Sequence, residues 1–75
     1  MITVDEVRKL VLRGFPDAAV EVSDMTGTLD HFDITITSQT FAGKPLIEQH
    51  RMVYAVLDAE MKDRIHAVQL HTRAH

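Results

Sequence analysis

The chain is predicted to fold as a two-layer α+β domain with five elements in the order α-β-β-α-β. Three observations support this class. Apolar residues recur at helical spacing in two segments, and they alternate with polar residues in three others. The 75 residues are 45% hydrophobic and 25% charged, as in ordinary globular proteins. Because a chain of this length accommodates one domain, residues 1–75 are assigned to a single unit.

The first helix is predicted over residues 4–13. The segment from Thr3 to Glu6 fits a capping box, in which side chains and backbone amides bond reciprocally at the start of a helix. Gly14 offers a left-handed cap, and Pro16 prevents the helix from resuming. The apolar stripe that would face the core comprises Val4, Val7, Leu10 and Val11.

Two strands follow in the sequence. The segment 18–24 alternates apolar and polar residues, and the segment 31–37, His-Phe-Asp-Ile-Thr-Ile-Thr, has the clearest alternation in the chain. Because side chains alternate between the two faces of a strand, three residues of the second strand are expected to face the core. These are Phe32, Ile34 and Ile36.

A long helix is predicted from Pro45 to about Lys62, after a turn-rich connection that starts at Ser38. The third strand is predicted over 65–72, with either of its two sides able to be the inner one. The inner stripe of the long helix is expected to comprise Leu46, His50, Val53, Leu57 and Met61.

The topology follows from the order of these elements. One helix is too little to cover a three-stranded sheet, so both helices are expected on the same face. The long helix between the second and third strands favours a parallel pair with a right-handed connection. A mixed three-stranded sheet with one largely open face is therefore predicted.

Composition narrows the function classes. The chain has no cysteine, which excludes a disulfide and an all-protein thiolate metal site. Neither a signal peptide nor a membrane span is expected, because no basic n-region precedes an apolar stretch and no apolar run approaches about 20 residues. A cytoplasmic location is the resulting expectation.

Charge argues against strong non-specific binding to nucleic acid, since the net charge is −3. Residues 1–38 carry three basic and seven acidic side chains, for a net charge of −4. Residues 39–75 carry five basic and four acidic side chains, for a net charge of +1. An anionic partner would therefore meet the second half of the chain.

No enzyme motif is found: the sequence lacks a Gly-rich phosphate loop, an HExxH zinc motif and a nucleophile elbow. Catalysis is not expected. Histidine is abundant, with five in 75 residues, yet each taken alone fits a structural role better than a ligand role. Spacing does not show that they converge. They are His31, His50, His66, His71 and His75.

Three sequence blocks resemble the BolA-like protein family. They are His31-Phe32; the segment 38–57, with its Phe-x-Gly-Lys and His-Arg-x-Val-Tyr motifs; and Ile-His-Ala-Val at 65–68. Any one block is a weak signal, but the combination is specific and spans nearly the whole chain. The resemblance implies a fold related to the type II KH arrangement, which agrees with the predicted element order.

The resemblance also implies a function, as a partner of monothiol glutaredoxin that shares a bridging [2Fe–2S] cluster. The glutaredoxin would supply its cysteine and a glutathione thiol, and the isolated chain, a monomer or weak homodimer, would lack the cluster. His66 matches the family's histidine ligand. His31 is the residue that matches the second ligand, because the loop 24–30 has neither Cys nor His. The expected partner-binding residues are Phe41, Gly43, Lys44 and Arg51.

Two alternatives remain open at this stage. A nucleic-acid-binding transcriptional regulator is a role also attributed to BolA-like proteins. KH domains clamp the nucleic-acid backbone with a GXXG loop, and here only Gly43 stands in the corresponding connection, so weak, salt-dependent DNA binding is expected. A small enzyme would need a deep pocket that a domain of this size can scarcely build.

Overall fold

A computed structural model of the chain describes residues 2–25, 27, 31–61, 65 and 67–74. The described residues confirm the predicted α+β class and the order of its elements. The elements are α1 (Val4–Gly14), β1 (Ala19–Asp24), β2 (His31–Thr37), a short 3-10 helix (Gln39–Phe41), α2 (Leu46–Met61) and β3 (Ala67–Arg73).

The three strands form one mixed sheet in the order β1-β2-β3. β1 pairs antiparallel with β2, and β2 pairs parallel with β3, as the crossover helix predicts. His31 is the register partner of Ala67, and Thr37 is the register partner of Arg73. The central pair therefore has two distinct ends, which we call the start end (His31 and Ala67) and the finish end (Thr37 and Arg73).

Both helices cover one face of this sheet and form a single apolar core with it. The predicted inner residues of β2 are fully buried, and α1 packs against β1 while α2 packs against β3. On β3 the inner side is the one that carries Val68 and Leu70, since Gln69, His71 and Arg73 are exposed. The open face of the sheet is polar.

The capping box of α1 is confirmed: the Glu6 amide donates to Thr3 Oγ1 (3.1 Å), and the Thr3 amide donates to Glu6 Oε1 (3.2 Å). In the same turn, the hydrogen bond from Arg8 and then that from Lys9 lower the pKa of the exposed Asp5 carboxyl. This charge arrangement suits a helix N-terminus, where acidic side chains meet the positive end of the dipole.

Gly14 does not act as the predicted left-handed cap. It is the last residue of α1 itself, and the cap that follows is Phe15. A methyl group at position 14 would collide with the Val56 side chain of α2. Glycine is needed here because the two helices approach closely, a requirement that the local sequence pattern does not reveal.

Leu46 is also placed differently from the prediction. Its side chain is 59% exposed, while Val53 and Leu57 of the predicted inner stripe are fully buried. The first turn of α2 lies beside the outer edge of β3 instead of over the sheet, so Leu46 lines a surface groove there. In the described part of the chain, no helix is long and apolar enough to cross a membrane.

Candidate functional site

His31 opens β2 at the start end of the central pair. Its side chain is half-buried, and its carbonyl accepts a hydrogen bond from the Met25 amide (2.9 Å). The register partner of His31 is Ala67, which directly follows His66 in the sequence. His66, the predicted principal ligand, lies outside the described residues.

A polar cluster around the buried Ser38 occupies the finish end. Ser38, the residue after β2, is fully buried, and its hydroxyl donates to the Asp17 carboxylate (2.8 Å). The Gln39 amide also donates to Asp17 (2.9 Å), and the Thr40 amide donates to Ser38 Oγ (3.1 Å). The local sequence does not reveal the contact with Asp17, although a serine before a short helical turn is a capping signal. This contact ties the α1–β1 connection to the end of β2.

Gly43 and Lys44 form a turn at the same finish end. Gly43 has a φ of 75°, in the left-handed region that favours glycine. Gln49 Nε2 donates to the Lys44 carbonyl (2.8 Å), and Gln49 Oε1 accepts from the Thr72 hydroxyl of β3 (2.7 Å). One glutamine side chain thus fastens this turn to the end of β3.

The predicted site residues are therefore divided between the two ends. His31 lies at the start end, whereas the Gly43–Lys44 turn lies at the finish end, about 20 Å away along a seven-residue strand. Arg51 is exposed on α2, 3.7 Å from Glu48 and two residues beyond Gln49. The Gly43–Lys44 turn does not share a surface patch with His31.

Phe41 requires a correction. Its ring is 1% exposed and packs against Phe15, with ring centroids 5.2 Å apart. A side chain held in the core cannot contact a partner directly, so Phe41 is not the surface contact that was expected. It instead anchors the turn that leads to Gly43.

The open sheet face carries a contact between a histidine and a carboxylate that the local sequence does not reveal. His71 Nε2 lies 3.1 Å from Asp33 Oδ1, and Arg73 Nε donates to Thr37 Oγ1 (3.2 Å). Along the sequence, the histidine nearest to Asp33 is His31. His71 makes the contact because the parallel register sets it opposite Thr35, diagonal to Asp33. Only long-range strand pairing could have revealed it.

A groove of about 460 Å³ runs along the outer edge of β3. Its walls come from the first turns of α2 and from the last residues of β3. His50 contributes a buried Nε2 that has no hydrogen-bond partner among the described residues. The residues that line it are Thr35, Leu46, His50, Leu70, His71, Thr72 and Arg73.

Metal-ligating side chains are scattered across the described residues. Within residues 2–25, 27, 31–61, 65 and 67–74, no group of three or more His, Cys, Asp or Glu side chains could hold a metal ion. Of the two predicted cluster ligands, His31 is the one that lies within the described residues.

Comparisons with known proteins place these features in a family. The sequence model of the BolA-like protein family matches residues 16–75. Protein BOLA2 of Arabidopsis thaliana is 37% identical over 71 residues, covering 93% of this chain and 75% of that protein. The DNA-binding transcriptional regulator BolA of Escherichia coli is 28% identical over 79 residues, covering 96% of this chain and 75% of that protein.

The fold is matched as well. The solved BolA domain of SufE1 from Arabidopsis thaliana superposes with a TM-score of 0.85 at 26% identity, covering 95% of this chain and 90% of that one. The family match, the sequence relatives and the common element order agree. The chain is a member of the BolA-like protein family.

Proposed function

We propose that this chain is a non-catalytic, cytoplasmic partner of a monothiol glutaredoxin and that the two proteins hold a bridging [2Fe–2S] cluster between them. His66 and His31 would be the ligands from this chain. The role would lie in iron–sulfur trafficking or iron sensing.

The observation that carries the proposal is the pairing of His31 with Ala67, the residue after His66. These positions are far apart in sequence, but neighbouring strands of a sheet lie only about 4.8 Å apart. Because β2 and β3 are parallel, both strands begin at the same end of the sheet. The two histidines near the first residues of these strands are therefore suited to bind the same cluster.

The chemistry of the donors fits a shared site. A cysteine-free chain offers imidazoles, and two imidazoles on one iron with thiolates on the other is a ligand set known from Rieske centres. Such a cluster would supply a redox-active iron centre whose potential lies above that of an all-thiolate one. Imidazole must be neutral to bind metal, so acidification would release this chain's ligands first.

Hydrogen bonds hold the backbone at His31 in place. Its carbonyl is fixed by the Met25 amide, and it is the first residue of a strand paired on both sides. The fully buried Phe32 follows directly. The ring therefore projects from a rigid element, which lowers the entropy lost when a ligand is ordered.

The test combines the chain with a glutathione-loaded monothiol glutaredoxin, iron and sulfide, and records visible absorption and circular dichroism. We expect a coloured heterocomplex whose spectrum changes in His66→Ala and, to a smaller extent, in His31→Ala. His71→Ala is the matched control, since this histidine is exposed on the open face of β3. An unchanged spectrum and unchanged cluster lability in both ligand variants would refute the assignment.

A second candidate is a nucleic-acid-binding regulator, favoured by the similarity to a protein named as a DNA-binding transcriptional regulator. The exposed Lys44 beside Gly43 offers one phosphate contact. The net charge of −3 opposes tight binding. Sequence-specific DNA binding at physiological salt that is lost in the Lys44→Glu/Arg51→Glu double variant would favour this candidate.

A further inference from the structure

The outer edge of β3 is available for pairing. β3 is an outer strand of the sheet, and among the described residues its one neighbouring strand is β2. The Arg73 carbonyl accepts from the Ser38 amide (3.0 Å), so the backbone groups of Arg73 point toward β2. Because residues alternate along a parallel ladder, the N–H and C=O groups of Val68, Leu70 and Thr72 point outward. Among the described residues, these groups make no backbone hydrogen bond beyond the sheet.

The groove follows this edge. Four consecutive residues, 70–73, line it, although Leu70 and Thr72 face one side of the sheet and His71 and Arg73 face the other. The groove also touches Thr35 of the central strand, so it extends from the open face around the edge of β3 to the first turns of α2. Exposed edges of this kind accept an added strand.

The two sides of the groove differ in chemistry. The side next to α2 carries Leu46 and Leu70 together with His50 and Thr72, and the opposite side carries Arg73 with His71. No acidic side chain is among the described residues that line the groove. The groove therefore complements a ligand that is apolar on one side and negatively charged on the other.

We propose that this edge binds an extended acidic peptide segment of a partner protein by β-strand addition. Side chains of an added strand alternate between the two sides, so apolar residues would contact Leu46 and Leu70. The acidic residues between them would contact Arg73 and His71. Main-chain hydrogen bonds to Leu70 and Thr72 would fix the register.

Charge favours such a peptide over a second copy of this chain. The sequence of β3 is Ala-Val-Gln-Leu-His-Thr-Arg, which contains no carboxylate. Two copies joined through their β3 edges would thus leave Arg73 of each without an acidic neighbour from the added strand. The part of β3 that lines the groove begins at Leu70, the register partner of Ile34, about 10 Å along the strand from His31, and extends from there toward the finish end.

The probe is a synthetic peptide, acetyl-Glu-Val-Glu-Val-Glu-amide, titrated into the isotope-labelled full chain and followed by amide NMR shifts. We expect the largest shifts at Leu70 and Thr72 and none with the lysine counterpart, acetyl-Lys-Val-Lys-Val-Lys-amide. Arg73→Glu should weaken binding by about tenfold at low salt, because one attraction becomes a repulsion. Arg13→Glu, a charge reversal on α1, should leave the affinity unchanged.

Main-chain pairing is tested with a modified peptide and with a modified protein. A peptide N-methylated at alternate amides should lose binding without any change to the protein. Thr72→Pro, which removes an outward N–H while sparing the ladder to β2, should also abolish binding in a chain that keeps its dispersed spectrum. Thr72→Val, which removes only the hydroxyl that bonds to Gln49, should retain binding.

Three results would overturn the proposal. Equal affinity for the lysine peptide would remove the charge argument. Shifts that map away from β3, or no shifts at all, would remove the strand-addition argument. Shifts at Leu70 and Thr72 that appear on raising the protein concentration, without peptide, would make a second copy the occupant.

Discussion

The two ends of the central β2–β3 pair are built differently. At the finish end, the buried Ser38 hydroxyl bonds to Asp17, and Gln49 links the Lys44 carbonyl to Thr72. At the start end, the described residues present His31, a half-buried imidazole at the first position of its strand. The described hydrogen bonds at the finish end join separate elements, and the described part of the start end contains a half-buried histidine that is a predicted metal ligand.

This difference shows how a small domain can separate two tasks. Polar contacts at the finish end join the α1–β1 connection and the Gly43–Lys44 turn to the sheet. They leave the outer edge of β3 accessible. In the proposed function, the half-buried His31 at the start end would be one of the ligands offered to the partner. A glutaredoxin at the start end and a peptide along the groove would contact different residues of the β2–β3 pair.

Phe41→Ala tests the packing of the finish end and should have the largest effect. Removing the buried ring should lower the free energy of unfolding by about 3–5 kcal/mol, a large share of the stability of a domain of this size. Urea denaturation followed by circular dichroism measures it. Leu46→Ala, at an exposed site, should change stability by less than about 0.5 kcal/mol. A small loss in Phe41→Ala would mean that the ring is not a core residue.

Asp17→Ala tests the polar contacts of the same end. It removes the acceptor of the buried Ser38 hydroxyl and of the Gln39 amide, so we expect a loss of about 1–3 kcal/mol. The double variant Asp17→Ala/Ser38→Ala should lose less than the sum of the two single variants, because the two groups bond to each other. Additive losses in the same denaturation assay would contradict this coupling.

His31→Ala tests the start end and should have the smallest effect on folding. A half-buried side chain at a strand terminus should contribute less than about 1 kcal/mol. The same denaturation curve measures it, and the result also validates the use of His31→Ala in the cluster experiment. A loss as large as that of Asp17→Ala would mean that the two ends are equally structural.

Much of the fold could be predicted from local patterns. The alternation in β2 identified its buried face, the Thr3–Glu6 capping box marked the start of α1, and the crossover helix implied a parallel pair. Each of these signals lies within a few residues or follows from a general rule of chain connection. For this reason the element order and the sheet type were confirmed.

The remaining features depend on contacts between distant segments. Position 14 favours glycine because the Val56 side chain of another helix lies against it. Leu46 is exposed because the first turn of α2 lies beside the edge of β3. The Asp33–His71 pair depends on strand register. Local periodicity does not encode such contacts, which is why the family resemblance, and not spacing, suggested the ligand positions.

Because β2 pairs with β3 in parallel, the start end forms only when two distant segments of the chain come together. His31 and Ala67 are 36 positions apart, and they become neighbours only after α2 has folded back across the sheet. Closing a loop of that length carries an entropic penalty that must be met by the packing of α2. Any condition that detaches α2 would therefore separate His31 from Ala67. Binding of the proposed partner at the start end would then depend on the folded state of the whole domain.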